Sequence, residues 1–279
     1  MTIREALQYG ADVLWAVPDP RIDAELLLCD VLNMRRMTLA LNAVQALTDE
    51  QERRYRELLS IRLTRKPLQY ILGTQSFFGC ELRVDARALI PRQETEILCE
   101  LALQSLQGLQ RPAVADLCTG SGAIAIVIKH SRPDAAVWAT ELSEAALALA
   151  RQNARQNGAD ITFAQGDLLA PLAGRTFDCL VSNPPYIPSG EMDTLQPEVR
   201  CEPRMALDGG ADGLTFYRRL AAEAPDYLNP KGKIFMEFGD GQAQDVQAIF
   251  DAAQRFGSLR VHRDLYGQPR ILEAALGFA

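Results

Sequence analysis

An apolar run that passes straight into a glycine loop and then into a second apolar run leaves a chain few ways to fold. Here Pro112-Ala113-Val114-Ala115-Asp116-Leu117 reads as a strand, Cys118-Thr119-Gly120-Ser121-Gly122 follows at once, and Ala123 to Ile128 reads as helix. In that order the three make a cofactor-binding turn. The glycines permit tight backbone geometry and close approach, and the helix amino end offers unpaired amides. The spacing lacks the lysine of a phosphate loop. It also departs from the dinucleotide fingerprint, because residue 118 is cysteine and the helix begins only two glycines later.

Three later strands bring polar residues to the same edge. A strand over residues 135–140 delivers Glu141, about one strand-helix-strand unit downstream, where a carboxylate can accept both hydroxyl hydrogens of a ribose. Ser143 can cap the helix that follows, which runs through Asn157 and ends at Gly158. A third strand near Ile161 to Ala164 leads into Gln165-Gly166-Asp167-Leu168, and Asp167 is placed to accept a hydrogen from an adenine amine. The fourth, Phe177 to Val181, meets Ser182-Asn183-Pro184-Pro185-Tyr186, and a proline pair forbids a helix from continuing it. That stiff turn presents the Asn183 amide and the Pro184 carbonyl side by side. Such a pair suits a group with two hydrogens on nitrogen, either a carboxamide or an exocyclic base amine. Asp116, Gly120, Gly122, Glu141, Asp167 and Asn183 thus fall at the carboxyl ends of successive strands, where open α/β sheets bind ligands.

The first 111 residues and the remainder after Tyr186 frame this unit. Thr2 with Glu5, and Thr48 with Gln51, spell capping boxes, so helices are expected after Thr2, from about Ile22 to Asn33, over Arg36 to Ala43, and from Thr48 to about Arg65. Ser76 to Val84 reads as a hairpin about a glycine turn. Arg92, its approach fixed by Pro91, is a candidate ligand contact. Ile187 to Gly213 is a long polar insert expected to wall the acceptor cleft, and a strand from Lys233 to Phe238 precedes two closing strands that pair antiparallel. The expected division is a helical domain over 1–75, a hairpin linker over 76–90 and the large domain over 91–279. The fold class is α/β: a doubly wound, mostly parallel sheet with a small all-α domain before it.

Charge narrows the function. A net charge of -7 argues against a broad basic face for nucleic acid, although Arg35, Arg36, Arg53, Arg54, Arg56, Arg62, Arg65 and Lys66 make a basic stripe in the helical part. The first twenty residues hold Arg4, Glu5, Asp12 and Asp19 and no sustained apolar run, so a cytoplasmic protein without a leader or membrane span is expected. The 6 cysteines lie in no close pair and the 2 histidines in no ligand spacing, which points away from disulfides, metal sites and a histidine-based triad.

The residues at the strand ends, Asp116 to Gly122, Glu141 and Ser182 to Ile187, resemble the S-adenosylmethionine-dependent methyltransferases of the doubly wound class. The wider pattern is similar to the peptide chain release factor glutamine methyltransferases, the HemK or PrmC family. It comprises Pro67 to Gly73, Phe78-Gly79, Leu89-Ile-Pro-Arg92 with Thr95-Glu96, Glu202-Pro203 with Ala206-Leu207, Gly210 with Asp212-Gly213-Leu214, and Asp264 with Arg270. The resemblance covers nearly the whole chain and implies a seven-stranded sheet. It also implies methyl transfer from S-adenosyl-L-methionine to the side-chain nitrogen of the Gly-Gly-Gln glutamine of bacterial class I release factors.

Asn183, Pro184 and Tyr186 would then serve the acceptor, with Tyr186 packed on it. Asp116, Thr119, Gly120, Gly122, Glu141, Asp167, Leu168, Asn183 and Arg92 would serve the cofactor. A monomer without a stable nucleic-acid complex is expected. The Asn-Pro-Pro-Tyr tetrad is shared with adenine and guanine amino methyltransferases, and a ribosomal-protein glutamine is a further alternative acceptor. One departure is Cys118, where the family usually has glycine. Cofactor binding is expected to tolerate it if that residue is not left-handed.

Overall fold

The computed structural model describes residues 1–277, so the last two positions of the expected large domain lie outside the described residues. The chain divides into two compact units, Met1–Thr74 with Gln196–Cys201, and Gln75–Leu195 with Glu202 onward.

The first unit is helical: α1 (Ile3–Val13), α2 (Pro20–Leu32), α3 (Arg36–Leu41), α4 (Asp49–Leu63) and α5 (Leu68–Leu72). Both capping boxes form, with Thr2 and Thr48 accepting from the third helical amide while Glu5 and Gln51 reach back to the cap. From the sequence alone, Pro18 and Pro20 both read as breakers that end the first helix, which here stops at Val13. Instead Pro20 opens α2, where its missing N–H is no loss. Ile3, Leu14, Leu27, Leu28, Tyr55 and Leu59 fill the core, and the Tyr55 hydroxyl donates to the Ala24 carbonyl.

The basic stripe is largely met by the unit's own carboxylates. Arg53 pairs with Glu50 and Glu57, Arg56 with Glu52, and Arg36 with Glu25. Buried Arg62 lies between Asp23 and Glu198, and Arg65 grips Glu198 through both carboxylate oxygens at 2.6 Å. Burial pushes the Glu198 carboxyl up, but the hydrogen bonds from Arg65, its own backbone and Arg62 outweigh it and hold it at about 2.

The second unit opens with the hairpin β1 (Thr74–Phe77) and β2 (Cys80–Arg83), whose turn sets both Phe78 and Gly79 at positive φ. Arg83 N–H donates to Asn153 Oδ1, so the hairpin packs on a helix of this unit and does not stand as a separate linker.

Then come α6 (Glu94–Ser105), β3 (Ala113–Leu117), α7 (Ala123–Ser131), β4 (Ala136–Glu141), α8 (Glu144–Gln156), β5 (Thr162–Gln165), β6 (Phe177–Ser182), α9 (Thr215–Glu223), β7 (Leu228–Glu237), α10 (Ala243–Ala252), β8 (Phe256–Arg263) and β9 (Pro269–Leu276). Among the described residues the main sheet has seven strands in the order β5-β4-β3-β6-β7-β9-β8. It is parallel from β5 to β7, and β9 pairs antiparallel with both β7 and β8.

Alternation along the central strands sends Val114, Cys179 and Val181 to one face under α6 and α7. The same alternation sends Ala115, Leu117 and Leu180 to the other, with Tyr217 and Leu220 of α9 and Phe250 of α10. Helices therefore cover both faces, as a doubly wound sheet requires.

β7 starts earlier than its sequence suggests. Pro230 and Gly232 lie inside it, at a register break that takes the pairing from Phe177 with Leu228 to Cys179 with Lys233. Lys231 takes up the bulge with a left-handed backbone.

Candidate active site

The reversal of strand order between β3 and β6 opens a crevice at the carboxyl edge. There the second unit holds a cavity of about 310 Å³ lined by Arg92, Thr119, Gly120, Glu141, Asp167, Leu168 and Asn183, among others. Volumes of this size suit a cofactor that is largely enclosed. Asp116 and Gly122 do not line it. Asp116 is fully buried beneath the loop, accepting from Thr119 Oγ1 at 2.5 Å and from Ala125 N–H at 3.2 Å, so it ties the glycine loop to the first turn of α7. Burial pushes its carboxyl up to about 7. Gly122 sits at the α7 cap with φ 85°, and a Cβ there would lie 3.1 Å from Ala150 Cβ, so it lets α8 come close.

Cys118 does take a left-handed backbone, with φ 58°. The condition under which cysteine is expected to be tolerated there, a backbone that is not left-handed, is therefore not met. The chain must leave β3 sharply so that Thr119 N–H can reach the Thr140 carbonyl of β4, and a side chain in that region carries about 1–2 kcal/mol of strain that glycine avoids. The cysteine is accommodated, its thiol pushed up by burial and by the nearby Glu141 and Asp116 carboxylates, which leaves it inert.

Glu141 closes β4 with its oxygens shared: Oε2 accepts from Gly120 N–H at 3.0 Å and Oε1 from Ser143 N–H at 2.9 Å. Each oxygen keeps a lone pair, and the backbone amides fix the carboxylate on the cavity wall. The donor set fits an adenosyl group, with a fixed carboxylate for a diol beside apolar Leu142, Ala145 and Leu168. Asp167 also lines the cavity but is exposed and paired with Arg219 at 3.0 Å, so a base amine would share it with a cation. Arg92 is held by the buried Glu202, which also accepts from Ile90 N–H at 2.9 Å. That carboxylate fastens the insert to the loop before α6.

At the end of β6, Asn183 lines the cavity together with Pro185, and Pro184 between them is buried. Asn183 Nδ2 donates to Thr95 Oγ1 at 3.2 Å, and Thr95 Oγ1 donates to Glu237 Oε2 at 2.7 Å. Tyr186 does not reach the cavity lining. It backs the turn, its carbonyl accepting from Gln242 Nε2 at 2.9 Å, and a Cβ on Gly239 would lie 2.9 Å from its ring. Burial pushes its phenol up to about 12. These contacts make it a support for the turn.

Glu237, Glu202 and Gln242 have parts here that their places in the sequence do not by themselves announce. Glu202 and Thr95 stood inside the family-like segments and could have been marked there, whereas Glu237 and Gln242 carried no such signal.

Among the described residues no cluster of potential ligands could hold a metal ion, and no helix is long and apolar enough to cross a membrane.

Comparison with known proteins agrees with this geometry. Residues 5–73 match the PrmC N-terminal domain, and residues 92–198 match the methyltransferase small domain. The release factor glutamine methyltransferase of Geobacter sulfurreducens is 44% identical over 89% of this chain and 88% of its own length, and that of Moorella thermoacetica is 40% identical over 97% of both. A methyltransferase of Pyrococcus furiosus superposes with a TM-score of 0.53 at 20% identity, covering 73% of this chain and 92% of its own, which shows the shared fold. With that identity sustained across both units, the chain belongs to the release factor glutamine methyltransferase family and is an S-adenosyl-L-methionine-dependent protein-(glutamine-N5) methyltransferase.

Proposed function

We propose that Asn183 and the Pro184 carbonyl accept the two hydrogens of the glutamine amide in the Gly-Gly-Gln motif of bacterial class I release factors, and that Gly120, Glu141, Asp167 and Leu168 hold the cofactor beside it. The observation that carries this reading is that Asn183 opens into the same cavity as Glu141 and the glycine loop. S-adenosyl-L-methionine supplies an electrophilic methyl on a sulfonium. An amide nitrogen is a poor nucleophile because its lone pair is delocalised, so the work left to the protein is alignment and exclusion of water. Two accepting oxygens turn the nitrogen lone pair toward the methyl and stabilise the positive charge that grows as the bond forms. Forming the N–CH3 bond would break the S–CH3 bond and release the neutral thioether, and the N-methylated amide cation so left would be acidic enough to lose its proton to solvent without a dedicated base. Arg92 and the insert residues Pro203 and Met205 close the cavity wall.

The helical unit, in this reading, docks the protein substrate. It exposes Trp15, Met37, Leu41 and Val44, each at least 79% accessible, and an apolar surface of that kind suits a protein partner. The protein acts as a cytoplasmic monomer.

The test is incubation of purified release factors with isotope-labelled cofactor, followed by peptide mass spectrometry. The label is expected on the Gly-Gly-Gln glutamine. Label confined to another residue, or to a ribosomal protein, would overturn the assignment.

A further inference from the structure

We propose that Thr95 and Glu237 are positioning residues for methyl transfer, because together they dictate which way round the Asn183 side-chain amide stands. The inference rests on the reading that Asn183 orients the substrate amide.

A primary amide has nearly the same shape after half a turn about its last bond, but the two orientations have opposite chemistry. One offers the substrate NH2 an accepting oxygen. The other faces it with two more hydrogens. Something must therefore choose between them.

Thr95, in the first turn of α6, has a single hydroxyl hydrogen, and it is committed to Glu237 Oε2 at 2.7 Å. Only lone pairs remain to face Asn183, so the amide must donate with Nδ2, as it does at 3.2 Å, and Oδ1 is left to accept. Thr95 is 4% exposed and Glu237 2%, so solvent is poorly placed to replace either bond. Glu237 is itself fixed at the end of β7, one residue past the Met236–Ser182 pair with β6 and opposite Ile271 of β9, and its backbone carbonyl accepts from the Tyr217 hydroxyl at 2.8 Å.

The groups around Glu237 are Thr95, Glu94 and Cys99 of α6, Arg92 before it, Tyr186 and Tyr217, and Arg270 of β9. Burial dominates and pushes the carboxyl up to about 7, against the Thr95 hydrogen bond and Arg270. The sign follows from the donor count. Above that pH the carboxylate takes the Thr95 hydrogen and holds Asn183 in the accepting orientation. Below it the protonated Glu237 can donate to Thr95 Oγ1, whose own hydrogen is then free to point at Asn183 and favour the turned amide. Transfer is therefore expected to slow as pH falls through about 7.

Single-turnover methylation of a release factor at saturating cofactor, followed across pH, tests this in the full-length enzyme. Thr95→Val should lose about 10–100-fold in rate, Thr95→Ser should restore most of it, and cofactor affinity by calorimetry should stay the same in both. Glu237→Gln, which cannot titrate, should lack the acidic limb of the wild-type profile. A wild-type rate in Thr95→Val while Asn183→Ala is impaired, or the same acidic limb in Glu237→Gln, would overturn the positioning role and leave the Asn183 reading standing. A wild-type rate in Asn183→Ala would overturn both.

Discussion

At the scale of single residues, the cofactor edge depends on a few atoms whose partners are backbone amides. Glu141 spends one lone pair on Gly120 and one on Ser143, which locks its carboxylate in place before any ligand arrives. Glu141→Ala should remove a charge-assisted pair of ribose hydrogen bonds and weaken cofactor binding by about 1.5–3 kcal/mol, measured by calorimetry. Unchanged affinity would assign the ribose elsewhere. Asp116 shows the limit of reading such residues from their place in a strand. Its position at the strand end was evident, but whether its carboxylate faces a ligand or the underside of a loop depends on Thr119 and Ala125 folding back over it. The left-handed backbone of Cys118 was illegible for a related reason. Cysteine carries no mark of that conformation, and only the demand that Thr119 reach Thr140 imposes it. Glu237 and Thr95 are 142 positions apart in the chain, so no local pattern could pair them.

Among the elements, those written by local rules were legible. Helix starts at Thr2, Thr48 and Ser143 were evident because a capping residue and its partner amide lie within one turn. The strands that end at Glu141 and Ser182 are evident because their runs are apolar, the second buried on both faces and the first half-buried on one. β7 was read short, since Pro230 and Gly232 look like a turn until a bulge absorbs them. The sequence of the insert suggests a single wall. In fact Gln196–Cys201 belongs with the helical unit, held by Arg62 and Arg65 on Glu198. Glu198→Gln should lower the stability of that unit by about 1–3 kcal/mol near neutral pH, read by urea unfolding with circular dichroism. Because the folded carboxyl is held at about 2, that contribution is present above its unfolded range and is lost as pH falls toward about 2. The difference between wild type and variant should therefore shrink in acid. An equal difference at about pH 3 and about pH 7 would assign the effect to packing.

For the whole molecule, the sheet order determines where chemistry can occur. β3 and β6 lie side by side, β4 and β5 extend one way and β7 the other, so the glycine loop, Glu141, Asp167 and Asn183 meet at one edge although 65 positions separate Cys118 from Asn183. Among the described residues, the cavity is lined by residues of the second unit alone. If the helical unit docks the release factor, Trp15→Ala should raise KM for the intact protein several-fold and leave KM for a short Gly-Gly-Gln peptide unchanged, because only the larger acceptor can use a remote surface. Equal effects on both acceptors would rule out docking through Trp15. The central claim is that the Asn183 turn aims the substrate amide at the methyl, and single-turnover methylation of an intact release factor by Asn183→Ala, with cofactor saturating and its affinity measured separately, tests it most directly. The account predicts unchanged cofactor affinity and a rate reduced on the order of 10²–10³-fold; transfer at the wild-type rate would contradict it.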